Sequence, residues 1–404
     1  MNDPLDTPPP RFGWIQPRWF LGGLALGLAA LAVLGWSAAR TDYHPGFQRF
    51  YPPISPETSY YPTLDEMKAI VRGRCRPGQV LVIVGGNSIL EGVWQPSDDL
   101  WSDHLQELLG ERYCVVNFAF RGAQPTDGGA VVAEALRREF PHQVYIANAA
   151  PFDRVDPLGH DPYRYLFWQA YFSGQLIRTP ARAREIAAFR AGRGNRAVLA
   201  EAAIAEWFDC ILHSRDLWNR VAFDYFCTVP SPLGEYFPAL ITPRRMFPDA
   251  EPDAYDPEFK KIRYPAASLG AEMAIVRNFT GLFLVRAANG GWRSTPRVRM
   301  TSLLDHLEAF PPPLVGRTIL LISRNSPHYL ADLSAAERLR EDLGYREGVR
   351  LWRQAGYPAM QYGRDYGEDD FGDRTHLSKT GGRKLAADVA PQVRAVAERL
   401  GYLR

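Results

Sequence analysis

The chain has 404 residues, with 46% hydrophobic and 23% charged residues and Lys+Arg of 47 against Asp+Glu of 45. That balance belongs to a globular protein and excludes a disordered chain, a coiled coil or a collagen-like fibre. A net charge of +2 with no concentrated basic run gives no reason to expect a nucleic-acid partner, and the length suffices for one elaborated domain or two.

Residues 1–18 form an N-terminal tail containing Pro8, Pro9 and Pro10. From Trp19 to Trp36 the sequence reads WFLGGLALGLAALAVLGW, without a charge. As a helix this run covers about 27 Å, close to the hydrocarbon thickness of a bilayer. Trp14, Trp19 and Trp36 stand where interfacial aromatics are expected. Residues 19–38 are therefore read as a single transmembrane anchor. Ser37-Ala38-Ala39 resembles a cleavage site, but the apolar run is longer than most signal-peptide cores, which favours an uncleaved span. A first and only span followed by a large domain leaves that domain outside the cytoplasm, in the periplasm or the extracellular space. Residues 39–62, rich in Pro and Tyr, read as a linker, and 63–404 as the folded domain.

Beyond the linker, strands and helices alternate. QVLVIVGG (Gln79–Gly86) has the short, β-branched, glycine-ended pattern of a strand buried on both faces. LWSDHLQELLG predicts a helix capped by Gly110, CVVNFAF (Cys114–Phe120) a second strand, AVVAEALRREF a helix closed by Pro141, and QVYIANA (Gln143–Ala149) a third strand. Regularity breaks after about Asp156, and residues 160–300 read as an inserted helical region, with ARAREIAAFR and RAVLAEAAIAEWFDCILH as its helical stretches. GRTILLIS (Gly316–Ser323) resumes the strand pattern. AAERLREDLGYREGVRLWRQ follows as an amphipathic helix, AMQYGRDY as a last short strand, and TGGRKLAADVAPQVRAVAERL as a closing helix kinked at Pro391. This alternation predicts an α/β three-layer sandwich with a central, mainly parallel sheet.

Four cysteines are present, none in a CxxC or at metal-ligand spacing with His, which argues against a zinc site. Cys75 and Cys114 each precede a predicted strand, and pairings Cys75–Cys114 and Cys210–Cys227 are expected, with four free thiols as the alternative.

In a parallel α/β sheet functional groups gather at the carboxyl ends of the strands. The first strand runs into Gly85-Gly86-Asn87-Ser88, which would hold a serine proud of the sheet at a strand-to-helix turn. No phosphate-binding lysine and no dinucleotide fingerprint accompany it. Asp373-Arg374-Thr375-His376 lies between the last strand and the closing helix, where a loop can reach back over the first turn. Serine needs a base to take its proton, and a histidine held in one tautomer by a carboxylate provides it. Ser88, His376 and Asp373 are accordingly the candidate nucleophile, base and orienting acid. The Ser88 N–H, the Gly122 N–H in NFAFRGA and the Asn148 side chain are the candidate oxyanion donors. His44, His104, His142, His160, His213, His306 and His328 lack a comparably placed carboxylate in the sequence.

These segments together resemble the SGNH (GDSL-type) hydrolase superfamily. GGNSILEG is similar to its first block, NFAFRGA to its second and DRTHLSKTGG to its last. Asn87 stands where the family often has Asp, and IANAAPFD replaces the usual GxND of the third block. The resemblance implies an SGNH/flavodoxin-like fold, a Ser-His-Asp triad of Ser88, His376 and Asp373, and no metal or organic cofactor. The single N-terminal span resembles the arrangement of DltD-type acyl-transfer proteins and of proteins that acetylate exported polysaccharides. That likeness implies a membrane-anchored serine acyltransferase or esterase acting on a glycan or cell-envelope polymer, beside a membrane-bound O-acyltransferase. A secreted carboxylesterase and a non-catalytic envelope scaffold are the alternatives.

Overall fold

A computed structural model describes residues 17–38, 49, 64–96, 99–120, 123, 125–148, 164–192, 284–294, 312–331 and 333–403. Helix α1 (Pro17–Ala38) begins two residues before the predicted span, with Pro17 at a position where its missing N–H costs nothing. At 22 residues it is about 33 Å long, and the Pro17–Leu34 window is long and apolar enough to cross a membrane, with none of it buried. Exposed Trp19, Phe20, Leu21, Leu24 and Leu26 leave this helix with an apolar surface that the rest of the chain does not cover.

The domain is built on five parallel strands: β1 (Val80–Val84), β2 (Tyr113–Asn117), β3 (Gln143–Asn148), β6 (Thr318–Ser323) and β7 (Ala359–Tyr362). Their order across the sheet is β2-β1-β3-β6-β7, so the direction of winding reverses between β1 and β3. Alternate residues face opposite cores. Val80, Val82, Val84, Ile146 and Leu321 pack against Trp101 and Leu105 of α4 (Trp101–Leu109), and against Leu385, Val389 and Val393 of the closing helix. Leu81, Ile83, Tyr145, Leu320 and Ile322 meet the other layer, which includes α2 (Leu64–Arg74) and α5 (Gly129–Leu136). Burial on both faces is why these strands read as unbroken apolar runs, each buried Val, Leu or Ile contributing about 1.5–3 kcal/mol.

The strands are each shorter than their sequence patterns; in β1 the flanking Gln79 and the Gly85-Gly86 turn fall outside the strand. Helix α2 lies just past the predicted linker and was not expected; its large apolar residues are only four (Leu64, Met67, Ile70, Val71), and apart from Ala69 and Gly73 its remainder is charged. Cys75, at the end of α2, is disulfide-bonded to Cys114 of β2, with Cα atoms 5.5 Å apart. Cys210 and Cys227 lie outside the described residues, as do residues 196–213 and all of the 39–62 linker except Arg49.

The inserted region is not purely helical. Its described part holds α6 (Arg164–Phe172), α7 (Pro180–Ala191) and an antiparallel hairpin of β4 (Leu284–Arg286) and β5 (Trp292–Ser294). The turn Ala287–Gly291, with Gly290 at φ 76°, closes the hairpin, and Trp292 lies between the guanidinium groups of Arg286 and Arg340. After β6 come α9 (Pro327–Ala331) and α10 (Ala335–Gln354), preceded by the short α8 (Pro312–Val315). Ser334 and Glu337 form a capping box that fixes the start of α10. The closing helix α11 (Lys379–Arg399) continues through Pro391.

Candidate active site

The reversal of winding between β1 and β3 opens a crevice at the carboxyl ends of these two strands, the usual place for a ligand in such sheets. Both strands deliver polar residues there. β1 runs through Gly85 and Gly86 into Asn87, which caps the four-residue helix α3 (Ser88–Glu91) by accepting the Ile89 N–H at 3.1 Å. Gly86 has φ +84°, and a Cβ there would collide with the Asn148 side chain, so only glycine fits.

Asn148, the last residue of β3, holds the turn in place. Its Oδ1 accepts the Asn87 N–H at 2.9 Å, and its Nδ2 donates to Asn87 Oδ1 at 2.5 Å, with Asn87 and Asn148 each only 2% exposed. One of the two Nδ2 hydrogens is thereby committed, and the other has no acceptor among the described residues. Ser88 opens α3, so its N–H is one of the donors a helix leaves without an internal partner. Gly122 lies outside the described residues.

The last loop explains how Asp373 and His376 meet. Phe371 and Leu377, both buried, form an antiparallel bridge, and the Gly372 N–H donates to His376 O at 2.9 Å, closing a tight loop. Inside it, Asp373 Oδ1 accepts the N–H of Thr375 at 2.9 Å and of His376 at 2.8 Å. Oδ2 faces His376 Nδ1 at 2.6 Å. His376 Nε2 lies 2.8 Å from Ser88 Oγ, across 288 positions of sequence. With Nδ1–H donated to the carboxylate, Nε2 is the lone-pair nitrogen and the Ser88 hydroxyl donates to it. Burial pushes the Asp373 carboxyl up, but the His376 hydrogen bond and charge, with the two backbone donors, outweigh it and hold the group below the usual carboxylate value. The chain thus brings Ser88, His376 and Asp373 into one hydrogen-bonded line.

Two contacts had no signal in the sequence. Trp94 is the one non-glycine residue with positive φ (70°) among the described residues, and its Nε1–H donates to Asp373 Oδ2 at 3.0 Å. A bulky residue there carries about 1–3 kcal/mol of strain. Arg49 is 2% exposed: Nη1 donates to the carbonyls of Glu91 and Gly92, and Nη2 to Gln95 O at 2.9 Å. It thereby closes the C-terminal end of α3. Neither a left-handed tryptophan nor a docked linker arginine leaves a pattern in spacing or composition.

His104 corrects one reading. Its ring contacts Asp99 Oδ1 and, at 3.4 Å, Glu107 Oε2, so it has carboxylate partners. Arg383 also pairs with Asp99, at 2.8 Å, and no hydroxyl bonds to the ring among the described residues, which makes this a surface ion cluster. No group of three or more His, Cys, Asp or Glu suited to a metal occurs among the described residues.

No protein-family model matches the chain, and no curated protein matches it.

Proposed function

We propose that the protein is a membrane-anchored serine acyltransferase or esterase of the SGNH type, working outside the cytoplasm. The observation that carries this reading is the unbroken line from Asp373 Oδ2 through His376 to Ser88 Oγ, at 2.6 and 2.8 Å, beside the crevice of a doubly wound sheet. A carboxylate and an imidazole in this relation to a hydroxyl raise its nucleophilicity near neutral pH.

In the proposed reaction His376 Nε2 takes the Ser88 proton as Oγ attacks an ester or thioester carbonyl. The oxyanion is met by the Ser88 N–H, with the Gly122 N–H and the free Nδ2 hydrogen of Asn148 as further donors. The tetrahedral adduct collapses as His376 returns the proton to the departing alcohol or thiol, leaving an acyl ester on Ser88. A glycan hydroxyl or water, deprotonated by the same imidazole, then attacks this ester and frees Ser88. Asp373 stabilises the imidazolium in both halves. This chemistry draws every group from the chain itself.

Two features support the anchored, extracytoplasmic placement. The uncovered apolar surface of α1 is suited to lipid, and the Cys75–Cys114 disulfide is of a kind that persists in oxidising compartments. A membrane-bound O-acyltransferase as acyl supplier and an envelope polymer as acceptor fit the same reading.

Turnover of p-nitrophenyl acetate by the full-length chain in detergent tests the reading. The expectation is release that Ser88→Ala abolishes and that a polysaccharide acceptor accelerates. Release unaffected by Ser88→Ala would contradict it. Turnover that no acceptor accelerates would favour the secreted-esterase alternative.

A further inference from the structure

We propose that Trp94 is a positioning residue for the Ser88–His376–Asp373 line, its indole N–H locking the Asp373 carboxylate in the orientation that serves His376. This inference rests on the acyl-transfer reading above and adds a fourth residue to its machinery.

Asp373 receives four donors: two backbone N–H groups on Oδ1, and His376 Nδ1 at 2.6 Å with Trp94 Nε1 at 3.0 Å on Oδ2. The backbone pair fixes one oxygen. The indole N–H adds a second donor to the other oxygen and so limits its swing about that fixed point, beyond what the His376 Nδ1–H alone provides. Trp94 is held for this task from both sides. A Cβ on Gly372, the residue preceding Asp373, would come within 2.6 Å of Trp94 Cβ and Cγ, so ring and loop are in close contact. Gln95, next in sequence, donates to Leu377 O at 3.3 Å and accepts the Trp101 N–H at 2.9 Å. The segment after α3 is thereby tied to the far end of the same loop. A left-handed backbone at a tryptophan is kept only where something is gained from it, and the gain here is a hydrogen bond to a charged, largely buried acceptor.

The shared oxygen has an electrostatic consequence. Indole N–H and imidazole N–H compete for Oδ2, so the indole weakens the hold of the carboxylate on an imidazolium. Without it, the carboxylate turns more freely and His376 Nδ1 is its one side-chain donor among the described residues. Among the described residues the groups bonded to the imidazole are Asp373 and Ser88, and the neighbouring Arg374 guanidinium lies 5.9 Å from the centre of the Tyr329 ring.

The test is the rate of Ser88 labelling by a fluorophosphonate against pH, for the full-length chain in detergent as wild type, Trp94→Phe and Trp94→Gln. The phenylalanine keeps much of the ring and lacks the donor. The glutamine nitrogen stands as many bonds from Cα as indole Nε1 and restores one. Trp94→Phe is expected to lower the plateau rate about tenfold, in keeping with loss of a hydrogen bond to a charged group. Trp94→Gln is expected to return it towards wild type. A Trp94→Phe profile that superimposes on wild type, or a Trp94→Gln profile equal to Trp94→Phe, overturns the proposal. A second measurement needs no variant: in the wild-type chain the Trp94 indole N–H resonance should move with pH in step with the His376 ring signals, and an indole signal indifferent to that titration overturns the proposal. A wild-type chain that the probe does not label would count against the acyl-transfer reading alone, and the indole titration would still decide the role of Trp94.

Discussion

Asn148 shows how one residue can be assigned to the right place and given too simple a task. Its position after the third strand marked it as an oxyanion donor, but much of its amide is spent on Asn87, in a reciprocal pair of hydrogen bonds. The pair clamps the turn before Ser88 to the neighbouring strand, so the direction of the Ser88 hydroxyl depends on it. Asn148→Asp keeps the size and replaces the Nδ2 donor with a second oxygen 2.5 Å from Asn87 Oδ1. The lost bond and the new repulsion in a buried site should cost about 2–3 kcal/mol, read as a roughly hundredfold drop in p-nitrophenyl acetate kcat/KM. A rate within twofold of wild type would show that the clamp does not govern Ser88. Asn87 Oδ1 caps Ile89 and accepts from Asn148, two tasks that an Asp carboxylate oxygen also performs.

At the scale of elements, the site depends on loops that grip each other. Ser326, at the exit of β6, donates its N–H to Arg374 O at 2.8 Å, so the β6–α9 connection holds the loop carrying Asp373 and His376. The adjacent Asn325 donates to Glu341 of α10 at 3.0 Å. Glu341 is 2% exposed, and burial pushes its carboxyl up to about 7 against partial opposition from Asn325 and Arg324. A carboxyl raised in the folded state binds its proton more tightly there than in the unfolded chain. Its stabilising contribution is therefore complete in acid and is lost as pH rises from about 4.5 to about 7. Glu341→Gln removes that loss while keeping an acceptor for Asn325. Urea unfolding should find the variant gaining on wild type between pH 5 and 8, by up to roughly 3 kcal/mol. A constant difference across that range would mean that Glu341 does not titrate there. Arg49 links the same machinery to α1. Eleven Cα–Cα steps separate it from Ala38 and span at most about 40 Å, so Arg49, docked on the Ser88 helix, stays within that reach of the end of α1.

At the scale of the whole molecule, what the sequence made legible was whatever repeats a physical pattern. Strands buried on both faces leave unbroken β-branched runs, which is why β1, β3 and β6 were visible before any coordinates. α10 was visible through its amphipathic length. Ser88 and the Asp373–His376 pair were visible because each sits between a strand and a helix, where a parallel sheet collects its functional groups. What could not be read depends on three-dimensional encounters. The left-handed backbone of Trp94, the docking of Arg49 and the Asn87–Asn148 clamp join residues 42 to 279 positions apart or hide in an ordinary turn. The β4–β5 hairpin was missed because its strands are only three residues each, too short to show alternation. The central claim is that Ser88 is a nucleophile driven by His376, and peptide mass spectrometry after exposure to a fluorophosphonate tests it most directly. The expected result is one adduct per chain on Ser88, absent in Ser88→Ala and formed at least about a hundredfold more slowly in His376→Ala. An unmodified Ser88, or labelling at the wild-type rate in His376→Ala, would contradict it.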